Sequence, residues 1–178
     1  MPTPVLDDPL TQAIAAVRDG LRAAPEPPIA TFVAGTQPRD GYRVEVAIRD
    51  FAFVADEPAR IGGTDAGPTP VELVLAGLGT CREIVCATYA RGLGVPLDVV
   101  AVRAEGSLDL RGFSGVADVP VGFAGVADRD AVESPAPAAE VVRLVETVNA
   151  HCPVLEILRR PVPVTGSHTL NGEPLAAL

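Results

Sequence analysis

A helix signal between Thr69 and Gly94 constrains this chain more than any other feature. Thr69 is a good N-cap, Pro70 stands at the first helical position, and Glu72 follows three residues after the cap. That is a capping box with Pro at N1. Gly92 and Gly94 supply the stop, so the spacing predicts a helix from Pro70 to about Arg91. A Gly-rich loop, Gly62 to Pro68, leads into it. Before the loop, Ile29 to Ala34 is short, apolar and strand-like. Tyr42 to Ile48 alternates with period two, as a half-buried strand does. Arg49-Asp50 reads as a hairpin turn into Phe51 to Ala55, and Asp56-Glu57-Pro58 stops that strand. Two further strands are predicted at Val99 to Gly106 and near Gly115 to Ala127. A second long helix should start near Pro137, include Val141, Val142, Leu144, Val145 and Val148, and end near Asn149 to Pro153. Leu155 to Arg159 reads as another helical turn, and Val162 to Thr165 as a last short strand. The order β-β-α-β-β-α-β does not alternate strictly enough for a doubly wound parallel sheet, so the fold class expected is α+β.

The N-terminal segment reads differently. Leu10, Ile14, Val17 and Leu21 recur at helical spacing between Asp8 and Ala24, with Pro9 at an early helical position. Pro25-Glu26-Pro27-Pro28 ends that helix. Residues 1–28 are therefore expected to be an appendage and linker, and residues 29–178 the main domain.

A length of 178 residues fits one domain with a core that needs no disulfide staples. No stretch of eighteen apolar residues occurs, so no membrane-crossing helix is expected. The first eight residues have no basic stretch followed by an apolar one, which predicts no signal peptide and a cytoplasmic location. The net charge is −9, all 14 basic residues are Arg, and no basic run occurs. With no Trp and 4% aromatics, neither a basic face nor a stacking platform for nucleic acid is expected. Three cysteines in a reducing compartment argue against a structural disulfide framework and direct attention to redox or metal chemistry.

Cys81 falls mid-helix, on the side of Val74, Gly77, Leu78, Val85 and Thr88, while Glu72 and Glu83 project to the opposite side. On spacing alone that describes a core cysteine. Cys152, in Asn149-Ala150-His151-Cys152-Pro153-Val154, stands at a helix-ending Pro and is less readily explained by packing. One cysteine in each main helix gives a pair able to cycle between dithiol and disulfide if the helices pack together. Cys86 lies about 140° round the helix from Cys81 and reads as structural. A metal site is the competing use of His151, Cys152, Cys81 and Cys86, but Cys81-x₄-Cys86 misses the close ligand spacing that zinc sites show. His168 has no partner at triad spacing, and no phosphate-binding glycine motif is present.

These residues resemble the OsmC/Ohr family of thiol-dependent peroxidases. The matching pieces are Asp56-Glu57-Pro58, Gly62-Gly63-x-Asp65-x-Gly67-Pro68-x-Pro70-x-Glu72-Leu73, Ala76-Gly77-Leu78-Gly79-Thr80-Cys81, Tyr89-Ala90-Arg91, Pro96-Leu97 and His151-Cys152-Pro153-Val154. The resemblance covers roughly residues 42 to 165. The resemblance implies an intertwined homodimer in which curved antiparallel sheets wrap two central helices, with active sites at the subunit interface. It implies an organic hydroperoxide as substrate, an external dithiol as reductant, and no metal or flavin cofactor. Carried over, Cys81 is the peroxidatic thiol and Cys152 the resolving thiol. The family also uses an Arg from the early strands to activate the thiolate, held by a Glu near the helix start. Arg39, Arg43 and Arg49 lie in that region, and Arg49 at the hairpin is the favoured one.

The sequence departs from the better-known peroxidase branch at one position. That branch has Glu directly after the helix-starting Pro, whereas here Val71 follows Pro70 and the acid is Glu72. One residue is a 100° rotation, so Glu72 serves either as the Arg holder or as the capping-box residue alone. The chain looks more like the broader OsmC-like branch. A non-catalytic protein on that scaffold, binding a small apolar ligand or acting as a redox sensor, is the alternative reading.

Overall fold

A computed structural model describes residues 8–175; the N-terminal stretch read above for a signal peptide falls, but for Asp8, outside the described residues. Helix α1 spans Pro9–Ala23, with the Asp8 carboxylate accepting from the Leu10 and Thr11 N–H groups as its N-cap. Strands β1 (Gly35–Pro38), β2 (Val44–Ile48) and β3 (Phe51–Ala55) form an antiparallel sheet in sequence order. The turn between β2 and β3 is Arg49-Asp50, and Arg49 takes the left-handed conformation, φ 56°. Helix α2 spans Pro70–Leu93 and is closed by Gly94, which is left-handed at φ 70°. Strand β4 (Val99–Leu108) pairs antiparallel with β5 (Phe123–Glu133), and the short helix α3 (Leu110–Phe113) lies in their connection. Helices α4 (Ala138–His151) and α5 (Pro153–Arg159) follow, then a small hairpin of β6 (Thr169–Leu170) and β7 (Glu173–Pro174). The α+β class holds.

Three strand boundaries differ from the sequence reading. Ile29 to Ala34 forms no strand, and the first strand is Gly35–Pro38, which pairs with β2 from Gly35 opposite Ala47. Apolar composition suggested the strand, but a partner edge decides one, and β2 reaches only as far as Ile48. The strand expected near Gly115 to Ala127 lies later, at Phe123–Glu133, because Gly115 is left-handed and ends a turn instead. The strand expected at Val162 to Thr165 is irregular, and the paired residues come after it.

The core sits where α2 packs between strand β4 and helix α4. Val100, Val102, Ala104 and Gly106 of β4 and Val126, Asp128, Asp130 and Val132 of β5 turn to the helices, while their neighbours face out. Gly79 of α2 is buried facing β4, where a Cβ would stand 3.8 Å from the Val102 carbonyl oxygen, an ordinary contact distance. Glu83 ties the same contact by accepting from the Val102 N–H at 3.1 Å. One apolar cluster joins Cys86, Ala90, Val95, Leu144 and Val148, and a second joins Leu78, Cys152 and Leu155. Full burial of a residue such as Leu144 or Leu78 stabilises by roughly 1.5–3 kcal/mol. The β1–β3 sheet, by contrast, leaves Phe51 and Phe53 exposed.

The loop into α2 is fixed by a buried carboxylate. Asp56 accepts from the N–H groups of Glu57, Thr64 and Ala66 and from the Thr64 hydroxyl. These bonds hold its carboxyl down at about 2. Gly63 and Gly67 complete the clamp, since a Cβ at either would stand 1.7 Å from the Glu57 carbonyl oxygen or 2.0 Å from that of Val54. The start of α2, and with it the phase of Cys81, is thereby set against the end of β3.

Candidate thiol site

Thr69 caps α2 as the sequence pattern predicts. Its hydroxyl accepts from the Glu72 N–H, and the Glu72 carboxylate accepts from the Thr69 N–H at 2.8 Å. Three turns on, the helix presents Cys81. Helix α4 ends at His151, because Pro153 has no N–H to continue it, and Cys152 becomes both the C-cap of α4 and the N-cap of α5. The helix packing then brings the two sulfurs to 3.3 Å across 71 positions of sequence.

The two thiols differ in access. Cys81 is half-buried and Cys152 is 1% exposed, packed against Leu78 and Leu155. Burial is the main influence on Cys81 and pushes its thiol up; Cys152 adds to the rise, while the Val154 backbone N–H pulls the other way. Beside this cluster a cleft of about 490 Å³ is lined by Leu78, Phe123, Val126, Leu155, Leu158 and Arg159.

The remaining expected residues are not gathered at the sulfurs. Arg49 stands at the β2–β3 turn with its guanidinium 5.2 Å from the centre of the Phe51 ring, and it is not among the groups acting on Cys81. Arg39 is paired with Glu45, and Arg43 with Asp40 at 2.6 Å. The Glu72 carboxylate is engaged by Thr69, whose bonds hold it below its ordinary value, and Arg60 adds a small pull. Glu72 therefore acts as the capping-box residue within this chain, and no arginine of the early strands is held by it. Cys86 is buried in the other cluster, against Leu144 and Val148. His151 lies with its ring 4.6 Å from that of Tyr89. Among the described residues no group of three or more His, Cys, Asp or Glu side chains converges as a metal site.

A buried ion-pair cluster behind the thiols carries no local mark in the sequence. Arg82, 4% exposed, bonds Asp128 at 2.9 Å, both oxygens of Asp130, and the Asn149 amide oxygen at 2.8 Å. Arg82 follows Cys81 directly and so projects about 100° from it around the helix. The signal that locates it is the alternation Asp128-x-Asp130, which points two carboxylates inward once the strand is placed at Phe123–Glu133.

Comparison with known proteins agrees with this architecture. Among curated protein sequences none matches this chain. An OsmC-like protein from Mycoplasma pneumoniae superposes with a TM-score of 0.64 at 16% identity, over 73% of this chain and 88% of that one. An organic hydroperoxide resistance protein OsmC from Legionella pneumophila superposes with a TM-score of 0.57 at 24% identity, over 74% and 90%. An organic hydroperoxide resistance protein from Elizabethkingia anophelis superposes with a TM-score of 0.54 at 19% identity, over 75% and 91%. At these identities the likeness is one of fold. Residues 63–167, more than half of the chain, match the family model described as OsmC-like protein, and the chain belongs to that family.

Proposed function

We propose that the protein is a thiol-dependent peroxidase that reduces organic hydroperoxides, with Cys81 and Cys152 as its two reacting sulfurs. The observation that carries this reading is the 3.3 Å approach of a half-buried and a fully buried thiol from different helices. Organic hydroperoxide resistance is what two of the fold relatives are named for. The Cys81 thiolate attacks the O–O bond of ROOH, becomes a sulfenic acid, and the alcohol ROH leaves after protonation. The Cys152 thiol then displaces the sulfenic hydroxyl as water and forms the Cys81–Cys152 disulfide. An external dithiol reduces it and leaves as its own disulfide.

Burial opposes the first step, because it holds Cys81 as a thiol. The reading therefore includes a cation from outside the chain's own site. We assign it to Arg49 of a second copy in a homodimer. Two features support that assignment: Phe51 and Phe53 are exposed on the sheet that carries Arg49, and Val71, Val74 and Ile84 are exposed on α2. The raised Cys81 thiol also favours a second reading, a binder of a small apolar ligand that responds slowly to oxidants.

Peroxide consumption decides between them. With cumene hydroperoxide and dithiothreitol, the wild type turns over, Cys81→Ser does not, and Cys152→Ser accumulates a sulfenic acid that dimedone traps. Arg49→Ala lowers turnover by about tenfold or more, the contribution usual for a positioned charge, while Arg39→Ala and Arg43→Ala do not. A folded wild type that consumes no hydroperoxide with any dithiol overturns the peroxidase reading in favour of the binder.

A further inference from the structure

Helix α5 packs on α2 and stands off from β5, whose second edge no strand covers among the described residues. The cleft of about 490 Å³ beside the thiol cluster lies in that gap. Small-molecule sites commonly enclose ~300–1,000 Å³. The floor of the cleft is apolar and buried: Leu78 is 1% exposed and Leu155 6%, with Val126 packed against them. Phe123 and Leu158 form its sides. The Phe123 ring lies against Gly106 of β4, where any Cβ would stand 2.7 Å from it, so the glycine seats the ring. Leu155, Leu158 and Arg159 share one face of α5, being spaced i, i+3 and i+4. That face carries the cleft's apolar wall and ends on a cation.

Two charged side chains line the cleft, Asp128 and Arg159, and they are not equivalent. Asp128 is bonded to Arg82 Nε at 2.9 Å, so its charge is answered from behind. Arg159 is exposed and has no ion pair or hydrogen bond among the described residues, although adjacent Arg160 is engaged by Glu156 at 2.8 Å. In a chain of net charge −9 this cation is left without a carboxylate at the mouth of an apolar trough. A guanidinium fork meets a carboxylate with two parallel hydrogen bonds. The trough and its cation together complement a molecule that is hydrocarbon along its length and anionic at one end. We propose that this cleft binds a linear aliphatic carboxylate, with the tail on Leu78, Val126 and Leu155 and the headgroup on the Arg159 guanidinium. An alcohol-ended chain keeps the burial of the tail and loses the headgroup bonds. An amine-ended chain meets the same cation and is repelled. The binding needs no reaction at either cysteine and so stands apart from peroxide reduction.

The test is calorimetric titration of the whole reduced protein with decanoate, decanol and decylamine, each kept below the concentration at which it aggregates. Decanoate is expected to bind about tenfold more tightly than decanol, the contribution of a charge-assisted hydrogen bond, and decylamine more weakly than either. Arg159→Ala is expected to weaken decanoate by about tenfold and to leave decanol unchanged. Leu158→Glu sets a carboxylate on a side chain that is 37% exposed at the mouth and is expected to weaken decanoate by about tenfold or more, since like charges repel. Both variants alter exposed positions, so the fold is expected to persist. No binding of decanoate overturns the proposal. So does equal binding of all three ligands, which marks simple adsorption to apolar surface. Decanoate binding in Arg159→Ala as tight as in the wild type also overturns it. Hydroperoxide consumption is read on the same samples. Decanoate binding by a protein that consumes no hydroperoxide upholds the site and removes the peroxidase reading, and consumption without decanoate binding does the reverse.

Discussion

The 3.3 Å separation of Cys81 and Cys152 makes a quantitative claim about the oxidised protein. Disulfide formation asks the sulfurs to close by about 1.3 Å, to the ~2.05 Å of an S–S bond, a distance that side-chain rotation covers. If the helices need not move, little strain opposes the constraint placed on the unfolded chain. For a closed loop of 71 residues, chain entropy gives a stabilisation of about 4 kcal/mol. At about 2–4 °C per kcal/mol for a chain of this size, the melting temperature rises by roughly 10 °C. The assay is urea unfolding of diamide-oxidised and reduced protein at neutral pH, with heat melts alongside. Far-UV circular dichroism is the probe, since the chain has no Trp. Cys81→Ser treated with diamide is expected to show no gain. Oxidised protein that is no more stable than reduced would refute the reasoning, because it would mean that α2 and the α4–α5 junction must be pulled out of place to form the bond.

Three other predictions concern what holds the site. The Asp56 carboxyl is held at about 2, below its ordinary 3.8, so its contribution is fully present above about pH 4 and is lost as pH falls towards 2; acid titration of Asp56→Asn by circular dichroism should lack that component, and a curve parallel to wild type counts against the clamp. Gly67→Ala sets a Cβ 2.0 Å from the Val54 carbonyl oxygen and should cost roughly 1–3 kcal/mol in urea unfolding as the α2 entrance shifts, whereas a neutral result would show that the loop yields freely. Leu144→Ala empties a position with no exposure and should cost about 2–5 kcal/mol while leaving the Cys81–Cys152 disulfide able to form, because Leu144 belongs to the other cluster.

The elements that were legible in the sequence are those set by local signals. The α2 cap and stop, the β2–β3 turn and the Pro that breaks α4 from α5 each depend on a few adjacent residues, and each is found where the residues put it. Strand edges depend on distant partners, so Ile29 to Ala34 stays unpaired despite its apolar run and β5 begins eight residues beyond where its segment was first placed. The site divides in the same way. Helical phase set Cys81 on an apolar face, and a Pro-ended helix marked Cys152, but nothing local told of Arg82. Its burial depends on two aspartates 46 and 48 positions away, in a strand that the sequence reading ended at Ala127. Within this chain the Glu72 carboxylate reaches back to Thr69, a contact that the capping-box spacing foretells.

Helix α1 lies outside the residues that match the family, yet it is not detached from the thiols. Asp8 pairs with Arg91 at 3.2 Å, Arg18 sits 5.7 Å over the Tyr89 ring, and that ring meets His151, the neighbour of Cys152. A relay of one cation and two rings thus runs from the appendage to the residue beside Cys152. Trimming the chain to its family-like part would take away the cation at the head of that relay, so a shortened protein is not a neutral substitute for the full one when thiol reactivity is compared.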